Sequence, residues 1–154
     1  MKKTIMCTVV SILLCGAGGF LFSQSNEIID QLLDEEKASL GKTAYLVFVA
    51  AGIAGEDWSV DEAFGELQSR GWGFESSSPD DPVSLGAFAL LVMRSYGMKG
   101  GILYAIIPGR RYAAREFAYR KFVPGDTSPY RKLSGQDVTH ILGKVLEFLG
   151  EREV

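Results

Sequence analysis

Arginine and tyrosine side chains concentrated in the second half of the chain offer its clearest binding chemistry. Seven arginines and lysines alternate with four tyrosines between Tyr104 and Lys132. Arg111 and Arg115 are four residues apart, so a helix would place them on one face. This combination suits an anionic glycan, a peptidoglycan carboxylate or an acidic protein surface, because a guanidinium can form paired hydrogen bonds with a carboxylate. The candidate ligand-binding residues are Arg110, Arg111, Tyr112, Arg115, Tyr119, Arg120, Lys121 and Arg131.

The same cations also have a structural interpretation, because charge is unevenly distributed along the chain. Residues 26–93 carry 13 acidic and 3 basic side chains, whereas residues 94–154 carry 6 acidic and 11 basic ones. The cations can therefore pair with the acidic first half, or lay their aliphatic stems over the core. The two halves can attract within one molecule or head to tail between copies, or the fold can simply mix these charges over its surface. Nucleic acid is not an expected partner of an exported chain with a net charge of −3.

Side chains suited to catalysis or metal binding are scarce. His140 is the only histidine and falls within a predicted helix, where a surface or structural role is the simpler interpretation. Cys7 and Cys15 are the only cysteines, and both lie in an N-terminal segment that we expect to be removed. Adjacent acids such as Asp80 and Asp81 usually face water. We therefore expect no enzyme activity, no catalytic residues, no metal site and no cofactor.

The first 25 residues have the layout of an export signal. Two lysines precede an apolar stretch, and small residues follow it at the positions that a signal peptidase recognises, with cleavage after Ser23 or Ser25. A retained membrane helix is the main alternative, because the stretch is about long enough to span a bilayer. A lipid anchor through Cys15 is less favoured, because the apolar run continues beyond it. We expect export to the periplasm or cell envelope, with residues 26–154 forming one domain.

Hydrophobic periodicity and capping signals predict an all-α fold of about six helices. The clearest start is Ser59, where Glu62 three residues later completes a capping box. The helix that begins at Leu40 is apolar nearly all round, so it should be central. The six predicted helices are Asn26–Lys37, Leu40–Ala51, Ser59 to Arg70, Ser84 to Gly97, Tyr112–Lys121 and Ser134 to Gly150.

The segment Met98–Ile107 leaves both its structure and its role open. It ends in a run of six mostly apolar residues, Ile102–Ile107, which is bounded on each side by glycine or proline. A run this short is consistent with either a strand or a buried turn of helix. The segment can be a core element, or an exposed apolar surface meant for a partner.

Short sequence matches divide the chain into three degenerate helix-loop-helix repeats. Residues 39–52 and 84–97 agree at seven of fourteen positions, including Ser-Leu-Gly at the start and glycine at the end. A further match at an offset of 50 pairs Ser84 with Ser134. Repeats of this length typically stack on their neighbours to bury their apolar faces. We place the repeats at about 26–55, 59–98 and 110–150, and expect a scaffold or binding surface rather than one catalytic pocket.

Two loop-and-helix segments look alike and point to a family. They are Pro79-Asp80-Asp81-Pro82-Val83-Ser84, followed by Phe88-Ala89-Leu90-Leu91 and Arg94, and the stretch from Phe122-Val123-Pro124-Gly125-Asp126 through Ser134. They resemble the second half of an S-layer homology module. The resemblance covers most of residues 39–149. It implies three modules packed as a pseudo-threefold helical prism, in a protein of the cell envelope.

The matching positions lack the family's ligand-binding arginine. In that family the capped helix opens with Thr-Arg-Ala-Glu, and the arginine helps to bind an anionic cell-wall polymer. Here the matching quartets begin at Ser39, Ser84 and Ser134, and none has arginine at its second position. We therefore expect a non-catalytic envelope protein that binds cell-wall glycan or peptidoglycan through other residues. The alternative is a protein–protein interaction scaffold of the envelope that has no glycan ligand.

Overall fold

All regular structure in the described part of the protein is helical. A computed structural model describes residues 18–151, with side chains described from Asn26 onward. Seven helices and no strand form within these residues, which confirms the predicted all-α fold. The helices are α1 (Gly18–Leu33), α2 (Leu40–Ala50), α3 (Val60–Ser69), α4 (Leu85–Ser95), α5 (Ile102–Ile106), α6 (Arg110–Tyr119) and α7 (Gly135–Gly150).

Five helices lie within two residues of their predicted bounds, and two differ. α1 begins at Gly18, eight residues before the predicted start, and ends at Leu33, four residues before the predicted end; beyond that end the Glu35 carboxylate accepts hydrogen bonds from Ser39. α5 is the seventh helix, and it fills the segment whose structure the sequence left open. The predicted signal segment and Cys15 lie outside the residues whose side chains are described. Within residues 18–151, no helix is both long and apolar enough to cross a bilayer.

Serine precedes four of these helices, as predicted, but one serine does not cap. Ser59 and Ser134 each form a capping box, and the Ser84 hydroxyl accepts a hydrogen bond from the third residue of α4 at 3.3 Å. Ser39 occupies the N-cap position of α2 without a side-chain cap bond. Its hydroxyl donates instead to the Glu35 carboxylate at 3.2 Å, which is a charge-assisted hydrogen bond.

Three buried residues that lie directly before the N-cap serines of α2, α4 and α7 form a closed ring of backbone hydrogen bonds. The Val83 amide donates to the Ala38 carbonyl at 2.8 Å, the Leu133 amide to Val83 at 3.1 Å, and the Ala38 amide to Leu133 at 2.8 Å. Each of the three quasi-repeats contributes one residue to this ring. These bonds link the second repeat to the first, the third to the second and the first to the third. The complete pseudo-threefold prism stays a prediction.

The first residue of each of these helices repeats the cyclic pattern. Its amide lacks a partner within the helix, and a carbonyl of the neighbouring repeat accepts its hydrogen bond. The three bonds run from Leu40 to Asp81 at 2.9 Å, from Leu85 to Arg131 at 2.8 Å and from Gly135 to Glu35 at 3.0 Å. The helix starts of different repeats are therefore held together by backbone rather than by side chains.

Glycine is required where these helix starts approach another backbone. A Cβ atom at Gly86 would lie 2.9 Å from the carbonyl oxygen of Arg110 and 3.0 Å from that of Pro129. A Cβ atom at Gly135 would overlap the Leu32 carbonyl. The recurring glycine near the capping serine is therefore explained by close packing between repeats.

The core runs continuously through the three repeats. α2 packs against α1, α3, α4 and α7, which makes it central as predicted. All nine residues of α4 from Leu85 to Met93 are buried. Edge-to-face aromatic contacts extend the core toward α7, with ring centroids 6.2 Å apart for Phe88 and Phe117 and 5.4 Å apart for Phe117 and Phe122. α6 is thereby fixed against α4, and it carries most of the predicted binding residues.

Candidate functional site

Four of the eight predicted binding residues line three separate pockets. Arg110 lines a groove between repeats, beside Phe74 and Lys132. Tyr112 and Arg115 line a shallow depression beside α5. Arg120 lines a cavity near the end of α7. The cluster that is contiguous in the sequence is therefore divided among separate surfaces of the fold.

Two of the predicted arginines are occupied by contacts within the protein. Arg120 donates to the Lys99 carbonyl at 2.6 Å, and its guanidinium lies 5.2 Å from the ring centroid of Phe148. Arg131 pairs with Asp137 at 2.9 Å and also donates to the carbonyls of two loop residues. Both guanidinium groups brace loops, so we leave them out of the candidate site.

The outer face of α6 carries predicted residues without such contacts. Arg111, Arg115 and Tyr119 are exposed, and Tyr119 keeps 85% of its accessible surface. Lys121 is also exposed, and its backbone is left-handed at a φ of 59°. Within the described residues, none of these four side chains has a hydrogen bond or an ion pair. This face is a free cationic and aromatic surface.

Direct ion pairs do not join the acidic and basic halves in the described part of the chain. Each ion pair there joins two residues of the same half. The pairs are Lys42–Glu35, Arg70–Glu66, Arg120–Glu116 and Arg131–Asp137. The other described cations of the second half have no carboxylate partner in an ion pair, and head-to-tail association of copies stays a prediction.

The groove between repeats, which we call the Arg110 groove, brings two cations together with hydroxyl and aromatic groups. It has a volume of about 170 Å³. The side chains that give it chemical character are those of Phe74, Ser77, Asp81, Ser84, Arg110 and Lys132. The Lys132 ammonium donates to the Pro82 carbonyl at 2.9 Å, which holds it at the groove.

The Arg110 guanidinium is held in place while most of its donors stay free. It donates from Nη2 to the Gly73 carbonyl at 2.6 Å, and its Cζ lies 4.9 Å from the ring centroid of the buried Phe74. An arginine has five N–H groups. The others on Arg110 have no hydrogen-bond partner among the described residues. The contact with the Phe74 ring and the bond to Gly73 hold the guanidinium in position, which suits recognition of a carboxylate or phosphate.

Two acids near the groove limit what it can bind. Hydrogen bonds from the backbone amides of Glu75 and Gly73 lower the pKa of the Glu75 carboxyl, and the Arg110 charge adds to this effect. The Asp81 carboxylate accepts a hydrogen bond from the Ser78 amide at 2.8 Å. Both carboxylates accept hydrogen bonds from backbone amides. A bound anion must therefore sit on the cationic side of the groove.

Backbone amides at the start of α4 are not available to a ligand. The Leu85 and Gly86 amides donate to carbonyls of the loop before α7, and the Ala87 amide donates to the Ser84 hydroxyl. Recognition in the groove therefore rests on the side chains of Arg110 and Lys132. This distinguishes it from anion sites that are built from free amides at a helix start.

Sequence reasoning found Arg110 but missed the groove around it. Phe74 lies 36 residues before Arg110, and Lys132 lies 22 residues after it. Lys132 belongs to the cationic cluster in the sequence, so its charge was a usable signal. No such signal pointed to Phe74, because an aromatic residue in a loop most often belongs to the core. Phe74 does lie in the core.

A larger cavity lies away from the cationic groove. It has a volume of about 640 Å³ and is lined by the ends of α4 and α7, including Tyr96, Met98, Leu146 and Leu149. Burial raises the pKa of Tyr96, and its hydroxyl has no hydrogen-bond partner among the described residues. The arginine in its wall is Arg120, which is already paired. Its size alone does not make it the candidate site.

Groups for catalysis or metal binding do not converge in the described residues. No three His, Cys, Asp or Glu side chains there are placed to hold a metal ion. His140 is exposed on α7.

Comparison with models of protein families, with curated proteins and with solved structures found no match for this chain. The resemblance to S-layer homology modules thus rests on the residues that suggested it.

Proposed function

We propose that this protein is an exported, non-catalytic binding module of the cell envelope, and that its ligand is an anionic cell-wall polymer. The observation that carries the proposal is the Arg110 groove, where an oriented guanidinium and the Lys132 ammonium face one small space between repeats. The envelope location comes from the export-signal layout and from the resemblance to S-layer homology modules.

The chemistry of the groove favours one charged substituent rather than a whole sugar chain. Pockets for drug-sized ligands measure about 300–1,000 Å³. The Arg110 groove, at about 170 Å³, suits a carboxylate or phosphate group attached to a polymer that lies outside. A guanidinium with free N–H groups can bind such a group through two parallel hydrogen bonds, and lysine adds a point charge. Because the site is open to solvent, its affinity should fall with added salt.

Co-sedimentation of the chain from Asn26 with peptidoglycan sacculi tests this proposal. Sacculi that keep their covalently attached anionic polymers are compared with sacculi stripped of them by acid, at low and high salt. We expect pelleting that salt weakens and that stripping reduces. Arg110→Ala should weaken binding by roughly tenfold or more, as expected for loss of a charge-assisted hydrogen bond.

Arg111→Ala is the matched control, because it removes the same charge one residue further along α6 from a side chain outside the groove. Arg110→Lys keeps the charge without the planar fork and should bind with intermediate affinity. Thermal unfolding of each variant separates loss of a ligand contact from loss of the Phe74 contact. Equal weakening by Arg110→Ala and Arg111→Ala would rule out the groove and leave only general electrostatic attraction.

Failure to pellet at either salt concentration would reject wall-polymer binding. The protein would then be better described as an interaction scaffold for other envelope proteins. Pull-down with the same pair of variants would show whether the Arg110 groove serves that role.

A further inference from the structure

The short helix α5 presents a cluster of exposed aliphatic side chains, which we call the α5 tip. Ile102 keeps 80% of its accessible surface, Leu103 48%, Ile106 70% and Ile107 56%. Met98 and Tyr104 of this segment belong to the core, whereas its four aliphatic residues from Ile102 to Ile107 are exposed, which answers one of the questions that the sequence left open. Exposed patches of this kind mark surfaces that meet a partner or a membrane.

The α5 tip stands out from the fold yet is firmly held. Tyr104 is the one buried residue of the helix. The Gly101 amide donates to the Glu116 carboxylate at 2.8 Å, which ties the start of α5 to α6. A Cβ atom at Gly100 would lie 2.6 Å from the Tyr104 ring, so the preceding glycine allows the ring to pack closely. The exposed side chains thus project from a base that is fixed to the rest of the fold.

Arginines without a carboxylate partner among the described residues lie beside the α5 tip. Arg115 lines the same shallow depression as Ile102 and Leu103. Arg94 lies near enough to Tyr104 for its charge to act on the tyrosine hydroxyl. Arg111 follows the tip by four residues in the sequence. Within the described residues, Arg94, Arg111 and Arg115 form no ion pair, and the nearby Glu116 is engaged by Gly101 and Arg120.

We infer that the α5 tip docks onto an anionic lipid surface, with its aliphatic side chains among the acyl chains and the nearby arginines at the headgroup phosphates. An exposed aliphatic cluster beside arginines that form no ion pair complements such a surface in hydrophobicity and charge. Protein interfaces instead place aromatic anchors in pockets of a partner. The α5 tip shares no lining residue with the Arg110 groove, so this inference does not depend on the proposed function.

A local probe on the tip tests the inference in the full-length chain. Cys7→Ser and Cys15→Ser remove the native thiols, and Ile106→Cys carries a nitrobenzoxadiazole fluorophore. The same fluorophore on Ser69→Cys, at the exposed end of α3, is the control position. Each protein is mixed with vesicles of phosphatidylcholine alone or of phosphatidylcholine with phosphatidylglycerol. Because the readout is local, membrane binding by the apolar N-terminal segment alone does not imitate docking of the tip.

We expect a blue shift and quenching by spin-labelled lipid at position 106, only with phosphatidylglycerol, and neither change at position 69. Arg115→Ala should weaken the apparent affinity about fivefold, the usual effect of one basic residue near an anionic bilayer. Ile102→Ser should weaken it further while leaving the melting temperature unchanged, since that side chain is exposed.

Three outcomes would overturn the inference. They are the absence of a shift at position 106 with either vesicle, an equal shift with neutral vesicles, and a shift that grows with protein concentration when no vesicles are present. The last of these would identify a second copy of the chain as the occupant of the tip. None of them changes the expected binding of sacculi through Arg110.

Discussion

Arg110 serves the fold and offers a binding group at the same time. Its contacts with Gly73 and Phe74 fix the guanidinium and link the loop after α3 to α6. Arg120 makes similar contacts but adds a partner carboxylate, Glu116, at 3.9 Å. Arg120 pairs with a carboxylate and therefore has a structural role. Arg110 has no such pair among the described residues, so it is the candidate for ligand binding.

Tyr96 carries a polar atom that the fold leaves without a partner. Its hydroxyl is buried and accepts or donates no hydrogen bond among the described residues. We predict that Tyr96→Phe raises the free energy of unfolding by about 1 kcal/mol, because it removes a buried unsatisfied group without creating a cavity. Urea denaturation measures the change.

Tyr45→Phe is the matched control for that measurement. The Tyr45 hydroxyl donates to the Glu56 carbonyl at 3.3 Å, so the same substitution there should lower stability by about 0.5–1.5 kcal/mol. If both variants lose stability, the Tyr96 hydroxyl has a partner that stabilises it and the prediction is wrong.

At the level of the helices, close approach of backbones decides which substitutions the fold accepts. Gly135 begins α7 where it meets the end of α1, and a Cβ atom there would overlap the Leu32 carbonyl. We predict that Gly135→Ala lowers the free energy of unfolding by about 1–3 kcal/mol, since a rigid backbone must move to make room. Thermal or urea unfolding would measure it.

Gly143 provides the comparison within the same helix. No atom lies within 4 Å of the position that its Cβ would take. Gly143→Ala should therefore stabilise α7 by about 0.5–1 kcal/mol through helix propensity. Similar effects of the two substitutions would mean that α7 can shift away from α1, contrary to the close contact described.

At the level of the whole molecule, the carboxylates of Glu35 and Asp137 lie near the contact between the first and third repeats. Partial burial pulls the pKa of Glu35 upward, but hydrogen bonds from Lys42 and Ser39 outweigh it and lower the pKa below 4.5. Burial acts in the same way on Asp137, and the Ser134 amide together with Arg131 lowers its pKa below 3.8. Both groups thus stabilise the fold in their charged form.

The sign of this linkage predicts acid sensitivity. A lowered carboxyl pKa contributes stability that is fully present above the unfolded value and is lost as pH falls through the folded value. Denaturant unfolding should therefore show stability falling below about pH 4.5, the usual range of these carboxyls. Glu35→Gln and Asp137→Asn should be less stable than the native chain at pH 7, and the difference should shrink at pH 3. A difference that is independent of pH would contradict this account.

Local sequence signals were sufficient for most helices because capping and hydrophobic periodicity act within a few residues. The capping boxes at Ser59 and Ser134 form as predicted. Ser39 forms no cap bond, and its hydroxyl donates to the Glu35 carboxylate instead. That contact depends on where α1 ends, which the periodicity of α1 did not reveal.

The sequence by itself determined the all-α class, the cationic character of the second half and the identity of Arg110 as a candidate. Only the tertiary structure decided which cations line an open groove and which hold a loop in place through internal contacts. The physical reason is distance along the chain. Phe74, Arg110 and Lys132 meet because backbone hydrogen bonds between repeats bring their loops together, and no local pattern encodes that meeting. The exposure of the α5 tip was decided in the same way, since a short apolar run reads alike whether the core covers it or not.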